Sequence, residues 1–363
     1  MTKGSDSMKV NRRDFARLGG AALATMLATR GSLALASDAA PLTIDQRLAP
    51  VAPELRPAAR QMLERGFPPI TAESLRNMPD FGRGPMPADL LADIPTAERD
   101  IPADGALPGV KVFVINSDAA KRRPAILHIH GGGMIVGSAR GELRYLQDIA
   151  QALDCVIVSV EYRLSPKARY TESTEDTYAG LKWLYGHADE LGADRTRIAV
   201  MGESAGGGHA AILAIKARDR GEIPLVFQSL VYPMIDDRTG SSVQPPAHIA
   251  TVGWSPAENR LGWESFLGME PGGPDVPAAA VPARQENLAG LPPAWIGVGS
   301  IDLFVNEDIE YARRLTQANV PTELLVIPGA FHGFDRMASE TKLAQTFNQS
   351  KLEALRRAFT LPA

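Results

Sequence analysis

Residues 200–208 read Val-Met-Gly-Glu-Ser-Ala-Gly-Gly-Gly, and this stretch decides the fold that we predict for the whole chain. It contains Gly-x-Ser-x-Gly centred on Ser204, follows an apolar run over 197–201 and precedes a helix-compatible run over 209–216. A strand, a glycine turn and a helix in this order present a nucleophilic serine, because glycines without a Cβ let the strand and the helix close around a strained residue. A flexible glycine turn is the alternative interpretation. The flanking runs favour Ser204 as a nucleophile.

Apolar runs alternate with helical patterns on both sides of this turn, from about residue 106 to the end. Strands are predicted over 110–115, 124–130, 156–160, 197–201, 225–232, 294–299 and 323–327. Helices are predicted over 142–153, 172–187, 209–216, 308–318 and 340–359. Continuous apolar strands separated by helices predict an α/β fold with a mainly parallel central sheet and helices on both faces. The active site of such a sheet lies at the carboxyl ends of its strands.

Two proline-rich segments interrupt or precede this alternation. Residues 37–105 contain short helical patterns broken by prolines, and we interpret them as an N-terminal arm or lid segment. Residues 233–293 form a Pro-, Gly- and Ala-rich insertion after a strand. An insertion of this length at a strand end usually covers the site. We therefore expect a two-part lid over a catalytic domain that spans 106–363.

A glycine loop after the second strand supplies candidate oxyanion donors. His130-Gly131-Gly132-Gly133 leaves backbone N–H groups unshielded. With the N–H of Ala205, those of Gly131 and Gly132 can form an oxyanion hole. A plain glycine turn is the alternative, which the position after a strand disfavours.

A serine hydroxyl needs an adjacent base that a carboxylate orients. His332 lies just past the last predicted strand. A mainly parallel sheet with a serine nucleophile presents its general base at that position. We expect His130 to fix the glycine loop by hydrogen bonds and His209 to point into packing. The histidines not chosen as base are His128, His130, His187, His209 and His248.

The orienting acid is expected after the preceding strand, where Asp302 lies. The order Ser204, Asp302, His332 is the serine–acid–histidine order of this kind of sheet. A helix N-cap is the alternative role for Asp302. The competing carboxylates are Asp236, Asp237, Glu307, Asp308 and Asp335.

Composition limits the classes of protein that the chain can belong to. The 363 residues are 45% hydrophobic and 22% charged with a net charge of −4, which is typical of a soluble globular protein with a large core. The body of the chain has no basic cluster of the kind that indicates nucleic-acid binding. The single cysteine, Cys155, lies in an apolar run and is interpreted as a core residue. No Cys/His spacing predicts a metal site, and no cofactor is expected.

The N-terminus has a different composition. Residues 1–36 contain Asn11-Arg12-Arg13-Asp14-Phe15, then a short apolar run, then Ala34-Leu35-Ala36. This order is typical of a secretory signal peptide, and the paired arginines resemble a twin-arginine signal. The apolar run is too short for a membrane span, which needs about 20 residues. An amphipathic helix is the alternative, which the Ala-Leu-Ala ending disfavours. We expect export to the periplasm with cleavage near Ala36.

These motifs together resemble the hormone-sensitive-lipase-like, His-Gly-Gly-Gly-type esterases of the α/β-hydrolase superfamily. The matching pieces occur in the family's order: 130–133, 161–164, 202–207, Asp302 with Glu307, and 332–333. Two stretches depart from the family's pattern: Ser165-Pro166-Lys167 replaces Ala-Pro-Glu, and Asp302-Leu303-Phe304 replaces Asp-Pro-Leu. The resemblance implies an α/β-hydrolase fold with a two-part helical lid and a preference for short acyl chains.

The leading hypothesis is a serine carboxylester hydrolase that acts on a small-molecule ester without a metal or cofactor. Hydrolysis of an amide, formamide or lactone on the same triad is an alternative. A non-catalytic ligand-binding protein of the same fold is a second, which His332 disfavours. Candidates for lining an apolar substrate pocket are Met134, Trp254, Trp263 and Phe266, and core packing or lid closure is the favoured role for most of them.

Overall fold

The computed structural model describes residues 42–66, 68–78 and 86–360. The predicted signal peptide, residues 1–36, lies outside them. The described residues form one eight-stranded sheet. Its strands are β1 (Thr96–Ile101), β2 (Val110–Ile115), β3 (Arg123–Ile129), β4 (Val156–Glu161), β5 (Ala193–Glu203), β6 (Phe227–Val231), β7 (Ala294–Gly299) and β8 (Thr322–Ile327).

The sheet has the order β1-β2-β4-β3-β5-β6-β7-β8. Strand β2 pairs antiparallel with β1 and with β4, and every other neighbouring pair is parallel. The predicted α/β fold with a mainly parallel sheet is therefore confirmed. The carboxyl ends of β5, β7 and β8 lie at the same edge because these strands are parallel. That edge carries the candidate site.

Strand β1 was not predicted from the sequence, where residues 37–105 were interpreted as an arm. The sheet begins at Thr96 rather than at about residue 106. The segment Thr-Ala-Glu-Arg-Asp-Ile has no apolar run, because it is an edge strand whose polar side chains are largely exposed. Only its pairing with the buried strand β2 makes it a strand.

Helices cover both faces of the sheet, as predicted. The α-helices of the described residues are α1 (Ile44–Leu48), α2 (Arg56–Arg65), α3 (Ala72–Arg76), α4 (Leu143–Leu153), α5 (Tyr170–Gly186), α6 (Ala188–Leu191), α7 (Ala205–Arg220), α8 (Pro256–Leu267), α9 (Val305–Gln317), α10 (Phe334–Met337) and α11 (Lys342–Thr360). Helices α4 and α11 pack on one face, and α5, α7 and α9 on the other. These layers bury the sheet, whose central strands are apolar on both faces.

The two segments predicted as a lid contact each other near the sheet edge that carries the site. Arg47 Nε on α1 donates a hydrogen bond of 2.7 Å to the carbonyl oxygen of Thr251, within the 233–293 insertion. The arm also contacts the loop after β8, where the N–H of Ala52 donates to the carbonyl oxygen of Gly329 at 2.9 Å. Helix α8, in the insertion, begins with a capping box between Ser255 and Glu258. The helix adds a third buried apolar cluster to the molecule.

Within the part of the chain that is described, no helix combines the length and apolar character needed to cross a bilayer.

Candidate active site

The nucleophile turn joins β5 directly to α7. Ser204 has φ 57° and ψ −122°, a backbone conformation that a non-glycine residue adopts only when its surroundings hold it. Its N–H donates to the carbonyl oxygen of Val231 at 2.9 Å, and its carbonyl oxygen accepts from Met234 at 3.0 Å. A Cβ on Gly206 would lie 2.0 Å from the carbonyl oxygen of Ile129, so only glycine fits there. These contacts fix Ser204 at the first turn of α7, where the helix dipole favours developing negative charge.

The structure brings Ser204 and His332 into hydrogen-bond contact, although 128 positions separate them. The distance from His332 Nε2 to Ser204 Oγ is 3.0 Å. The distance from His332 Nδ1 to Asp302 Oδ2 is 2.8 Å. Because a carboxylate only accepts, Nδ1 carries the proton and Nε2 is free to accept from the serine hydroxyl. This is the tautomer that a general base requires.

Asp302 faces the imidazole and does not cap α9, whose N-cap residue Phe304 has no side-chain cap hydrogen bond. Its Oδ2 faces His332, and its Oδ1 accepts from the N–H of Phe304 at 3.0 Å, next to the start of α9. The side chain is fully buried. The turn at the end of β7 therefore holds the carboxylate by one oxygen and leaves the other for the imidazole.

Of the three predicted oxyanion donors, Gly131 and Ala205 lie beside Ser204. A Cβ on Gly131 would lie 2.9 Å from the carbonyl oxygen of Glu203 and 3.4 Å from Ser204 Cβ. Among the described residues, none of the turn and loop hydrogen bonds uses the N–H of Gly131, Gly132 or Ala205 as its donor. These three N–H groups are therefore available to an anion that forms at Ser204.

The buried histidines have structural contacts. His130 Nδ1 lies 2.8 Å from the carbonyl oxygen of Gly131, and its ring stacks on Tyr162 at 4.3 Å. His209 lies 3.1 Å from Ser173 Oγ and 3.1 Å from the carbonyl oxygen of Ala205. Burial lowers the pKa of His130 to about 3 and that of His209 to about 4. Both are neutral at physiological pH, and neither contacts Ser204 Oγ.

None of the competing carboxylates bonds to His332. Glu307 accepts from the N–H groups of Ile235 at 2.7 Å and Asp236 at 3.1 Å. Asp308 is fully buried with no hydrogen-bond partner among the described residues, and burial raises its pKa well above the usual range. The other three are paired elsewhere: Asp335 with Tyr232, Asp236 with Arg238, and Asp237 with Arg284.

Two aromatic residues that the sequence analysis did not assign hold the imidazole. The Tyr232 ring lies edge to face with His332 at 4.6 Å, and Phe304 does so at 5.2 Å. Tyr232 follows β6 directly and has φ 34°. Its position directly after a central parallel strand is the signal that the sequence offers, because parallel strands end at the same edge.

At the departure Ser165-Pro166-Lys167, the backbone and the side chain of Ser165 have different partners. The N–H of Ser165 donates to the carbonyl oxygen of Met134 at 2.9 Å, and its hydroxyl donates to Ala168 at 2.7 Å. The bond to the loop that follows Gly133 uses a backbone N–H that alanine also has, so the replacement of alanine by serine adds only the hydroxyl bond to Ala168.

Of the four candidates for pocket lining, three are fully buried: Met134, Trp263 and Phe266. They belong to the apolar cluster that packs the insertion onto the body. Trp254 is partly exposed, its indole packs against Gly133, and its Nε1 donates to Asn259 Oδ1 at 3.3 Å. The preceding Gly253 lies against His332. Trp254 is therefore the aromatic that the insertion places against the glycine loop.

Among the described residues no group of three or more His, Cys, Asp or Glu side chains could hold a metal ion. Cys155 is buried, and burial raises the pKa of its thiol to about 12, which makes it unreactive at neutral pH.

Comparison with known proteins relates the fold to one family. A family model for the alpha/beta hydrolase fold matches residues 126–336. Carboxylesterase NlhH of Mycobacterium tuberculosis is 34% identical over 75% of this chain and 85% of its own. An ethyl acetate hydrolase of Pseudomonas putida is 30% identical over 74% and 83% of the two chains.

A solved structure supports the same assignment. A bacterial heroin esterase superposes with a TM-score of 0.71 at 32% identity, covering 86% of this chain and 99% of its own. The family match spans the loops that carry Ser204, Asp302 and His332. The chain belongs to the α/β-hydrolase fold family, in its hormone-sensitive-lipase-like esterase branch.

Proposed function

We propose that this chain is a serine carboxylester hydrolase that acts on short-chain acyl esters, with Ser204 as nucleophile, His332 as base and Asp302 as orienting acid. One observation carries the proposal. His332 lies between Ser204 Oγ at 3.0 Å and Asp302 Oδ2 at 2.8 Å, in the tautomer that accepts the serine proton.

The reaction proceeds in two halves. His332 Nε2 takes the hydroxyl proton as Ser204 Oγ attacks the ester carbonyl carbon. The N–H groups of Gly131, Gly132 and Ala205 bind the oxyanion of the tetrahedral intermediate, where each such donor contributes about 10²–10³ in rate. The carbon–oxygen bond to the alcohol breaks, and His332 gives its proton to the leaving alkoxide.

The acyl-enzyme is then hydrolysed by the same groups. Water gives a proton to His332 and attacks the acyl carbon, and the same N–H groups bind the second oxyanion. When the intermediate collapses, the carboxylic acid leaves and His332 returns the proton to Ser204. Asp302 stabilises the imidazolium in both halves without being protonated.

The contacts of the insertion support a preference for short acyl chains. Trp263 and Phe266 are used to pack α8 onto the body, so they do not line an open apolar channel. The named activity of the ethyl acetate hydrolase relative is consistent with this preference. Amide, formamide and lactone hydrolysis use the same triad and enter the test as competing substrates.

The test is hydrolysis of p-nitrophenyl esters from acetate to decanoate, beside a p-nitroanilide and a lactone. Wild-type protein and Ser204→Ala are compared. We expect Ser204-dependent ester turnover that falls with chain length and exceeds amide and lactone turnover. If no substrate is turned over and Ser204 does not react with an organophosphate, the proposal fails and ligand binding without catalysis becomes the better hypothesis.

For localisation, we propose export by the twin-arginine-type signal in residues 1–36. We also propose that the described part of the arm that precedes β1 and the 233–293 insertion form a two-part lid on the catalytic domain. The basic n-region, short apolar run and Ala34-Leu35-Ala36 site support export. The test is cell fractionation of the full chain against an Arg12→Lys/Arg13→Lys variant. Periplasmic protein starting near Ser37, lost in the variant, is the expected result. Equal cytoplasmic retention of both proteins would contradict it.

A further inference from the structure

A buried set of hydrogen bonds reaches the nucleophile turn from two helices. Glu203 precedes Ser204, and its side chain is almost fully buried. Tyr145 Oη on α4 donates to Glu203 Oε1 at 3.1 Å. Lys351 Nζ on α11 donates to Tyr145 Oη at 2.6 Å. On its other side, Glu203 Oε2 lies 2.8 Å from His128 Nε2, so both carboxylate oxygens are held.

The same lysine connects to the loop that carries the base. Lys351 Nζ donates to Asn348 Oδ1 at 3.0 Å, and Asn348 Nδ2 donates to the carbonyl oxygen of Asp335 at 3.2 Å. Tyr232 Oη donates to Asp335 Oδ1 at 3.0 Å, and the Tyr232 ring contacts His332. We call Glu203, Tyr145, Lys351, Asn348, Asp335 and Tyr232 the Lys351 network. It links the residue before the nucleophile to the aromatic ring that holds the base.

Burial of the Lys351 ammonium at this position is unfavourable in free energy. Lys351 is 1% exposed, and a buried ammonium loses its hydration. Glu203 and Asp335 supply opposite charge, and the Tyr145 ring lies 4.9 Å from Nζ. A methionine of similar size would fill the same volume without the cost of desolvation. Packing alone therefore does not account for a lysine at this position.

We propose that Lys351 and Tyr145 are positioning residues that set the separation of Ser204 Oγ and His332 Nε2. This inference rests on the proposed serine hydrolase function. The two reacting groups are on separate elements, β5–α7 and the loop after β8, and the network connects those elements through the core. A displacement of about 1 Å between reacting groups costs about 10²-fold in rate. Loss of the network therefore lowers kcat rather than substrate affinity.

The test uses Lys351→Met and Tyr145→Phe, with an organophosphate to count reactive Ser204 in each preparation. We expect kcat per titrated site to fall at least tenfold with KM within twofold of wild type. Phosphorylation of Ser204 by the organophosphate should slow by a similar factor, because it needs the same Ser204–His332 alignment. The kcat per titrated site of the double variant should be no lower than that of the less active single variant, since both changes interrupt one route.

The matched control is Lys216→Met. Lys216 is a partly buried lysine on α7 whose Nζ bonds Glu175 at 2.7 Å and Thr174 at 2.9 Å, away from the network. Its variant should keep wild-type kcat per titrated site. Lower thermal stability in Lys351→Met is compatible with either role, so stability does not decide the question.

Two results would overturn the inference and can be told apart. If wild type turns over esters and both variants keep kcat per titrated site within twofold, the network is structural only. If wild type shows no Ser204-dependent turnover, the proposed function fails first. Tyr145→Phe keeps the ring and removes one hydroxyl, so the comparison stands even if Lys351→Met does not fold.

Discussion

At the scale of single residues, Asp302 is the carboxylate on which the imidazole depends. Its Oδ2 bonds His332 Nδ1, and its Oδ1 is held by the N–H of Phe304. Asp302→Asn keeps the shape but can donate to Nδ1, which stabilises the wrong tautomer. We expect kcat to fall about 10⁴-fold with little change in KM. The measurement is steady-state hydrolysis of p-nitrophenyl acetate.

A matched control for this change is Asp189→Asn, an exposed carboxylate whose partner is Arg195. It should retain wild-type kcat. A loss below tenfold in Asp302→Asn, together with a large loss in Glu307→Gln, would transfer the orienting role to Glu307.

Trp254 is the residue that we expect to limit substrate size. Its indole is partly exposed, packs on Gly133 and is fixed through Asn259. Trp254→Ala removes this wall, so the ratio of kcat/KM for octanoate to that for acetate should rise at least tenfold. An apolar site discriminates by about 1–3 kcal/mol per methylene, which makes this change measurable.

The control is Trp183→Ala, which removes a partly buried indole that stacks on His187 of α5's C-terminal end. Its chain-length profile should match wild type. An unchanged octanoate-to-acetate ratio in Trp254→Ala would mean that the acyl chain lies elsewhere.

At the scale of elements, the sequence predicted those strands that are apolar and central. Strands β2 and β7 have the predicted bounds because their residues are buried on both faces. Ser204, Asp302 and His332 follow from strand ends, since parallel strands converge at one edge. Strand β1 could not be predicted, because an exposed edge strand has no apolar run.

The Lys351 network could not be predicted for a different reason. Its hydrogen bond between Lys351 and Tyr145 joins residues 206 positions apart on two helices that are both amphipathic in sequence. A lysine on such a helix is expected on the solvent face. Only the packing of α11 against α4 reveals that this one points inward.

Arg47 is the contact through which the arm can hold the insertion in place. Its guanidinium donates to the carbonyl oxygen of Thr251, two residues before Gly253, which lies against His332. Arg47→Met should lower kcat/KM about tenfold, mainly by raising KM, because a hydrogen bond to a charged group contributes about 1.5–3 kcal/mol. The measurement is a full substrate-saturation curve.

The arm also offers a control. Arg56 Nε donates to the carbonyl oxygen of Val51, within the arm itself. Arg56→Met should leave KM near the wild-type value. Equal KM values in Arg47→Met and wild type would show that the Arg47 contact does not hold the 233–293 insertion in place over the site.

At the scale of the whole molecule, buried titratable groups give stability opposing dependences on pH. His130 and His209 have lowered pKa values, so the unfolded chain binds protons that the folded one excludes. Glu307 and Asp308 have pKa values raised by burial, so the folded chain holds protons that the unfolded one releases. Because the two slopes have opposite signs, the free energy of unfolding of the wild type does not isolate either group.

A single substitution separates the histidine contribution. The pKa of His209 is about 4 in the folded state against a reference of 6.5, so its stabilising contribution is complete above pH 6.5 and is lost as the pH falls towards 4. His209→Gln does not titrate. Between pH 6.5 and 4.5 the wild type should therefore lose about 2 kcal/mol relative to the variant. Urea unfolding of both proteins at each pH measures this difference, and a constant difference would mean that folding does not lower the pKa of His209.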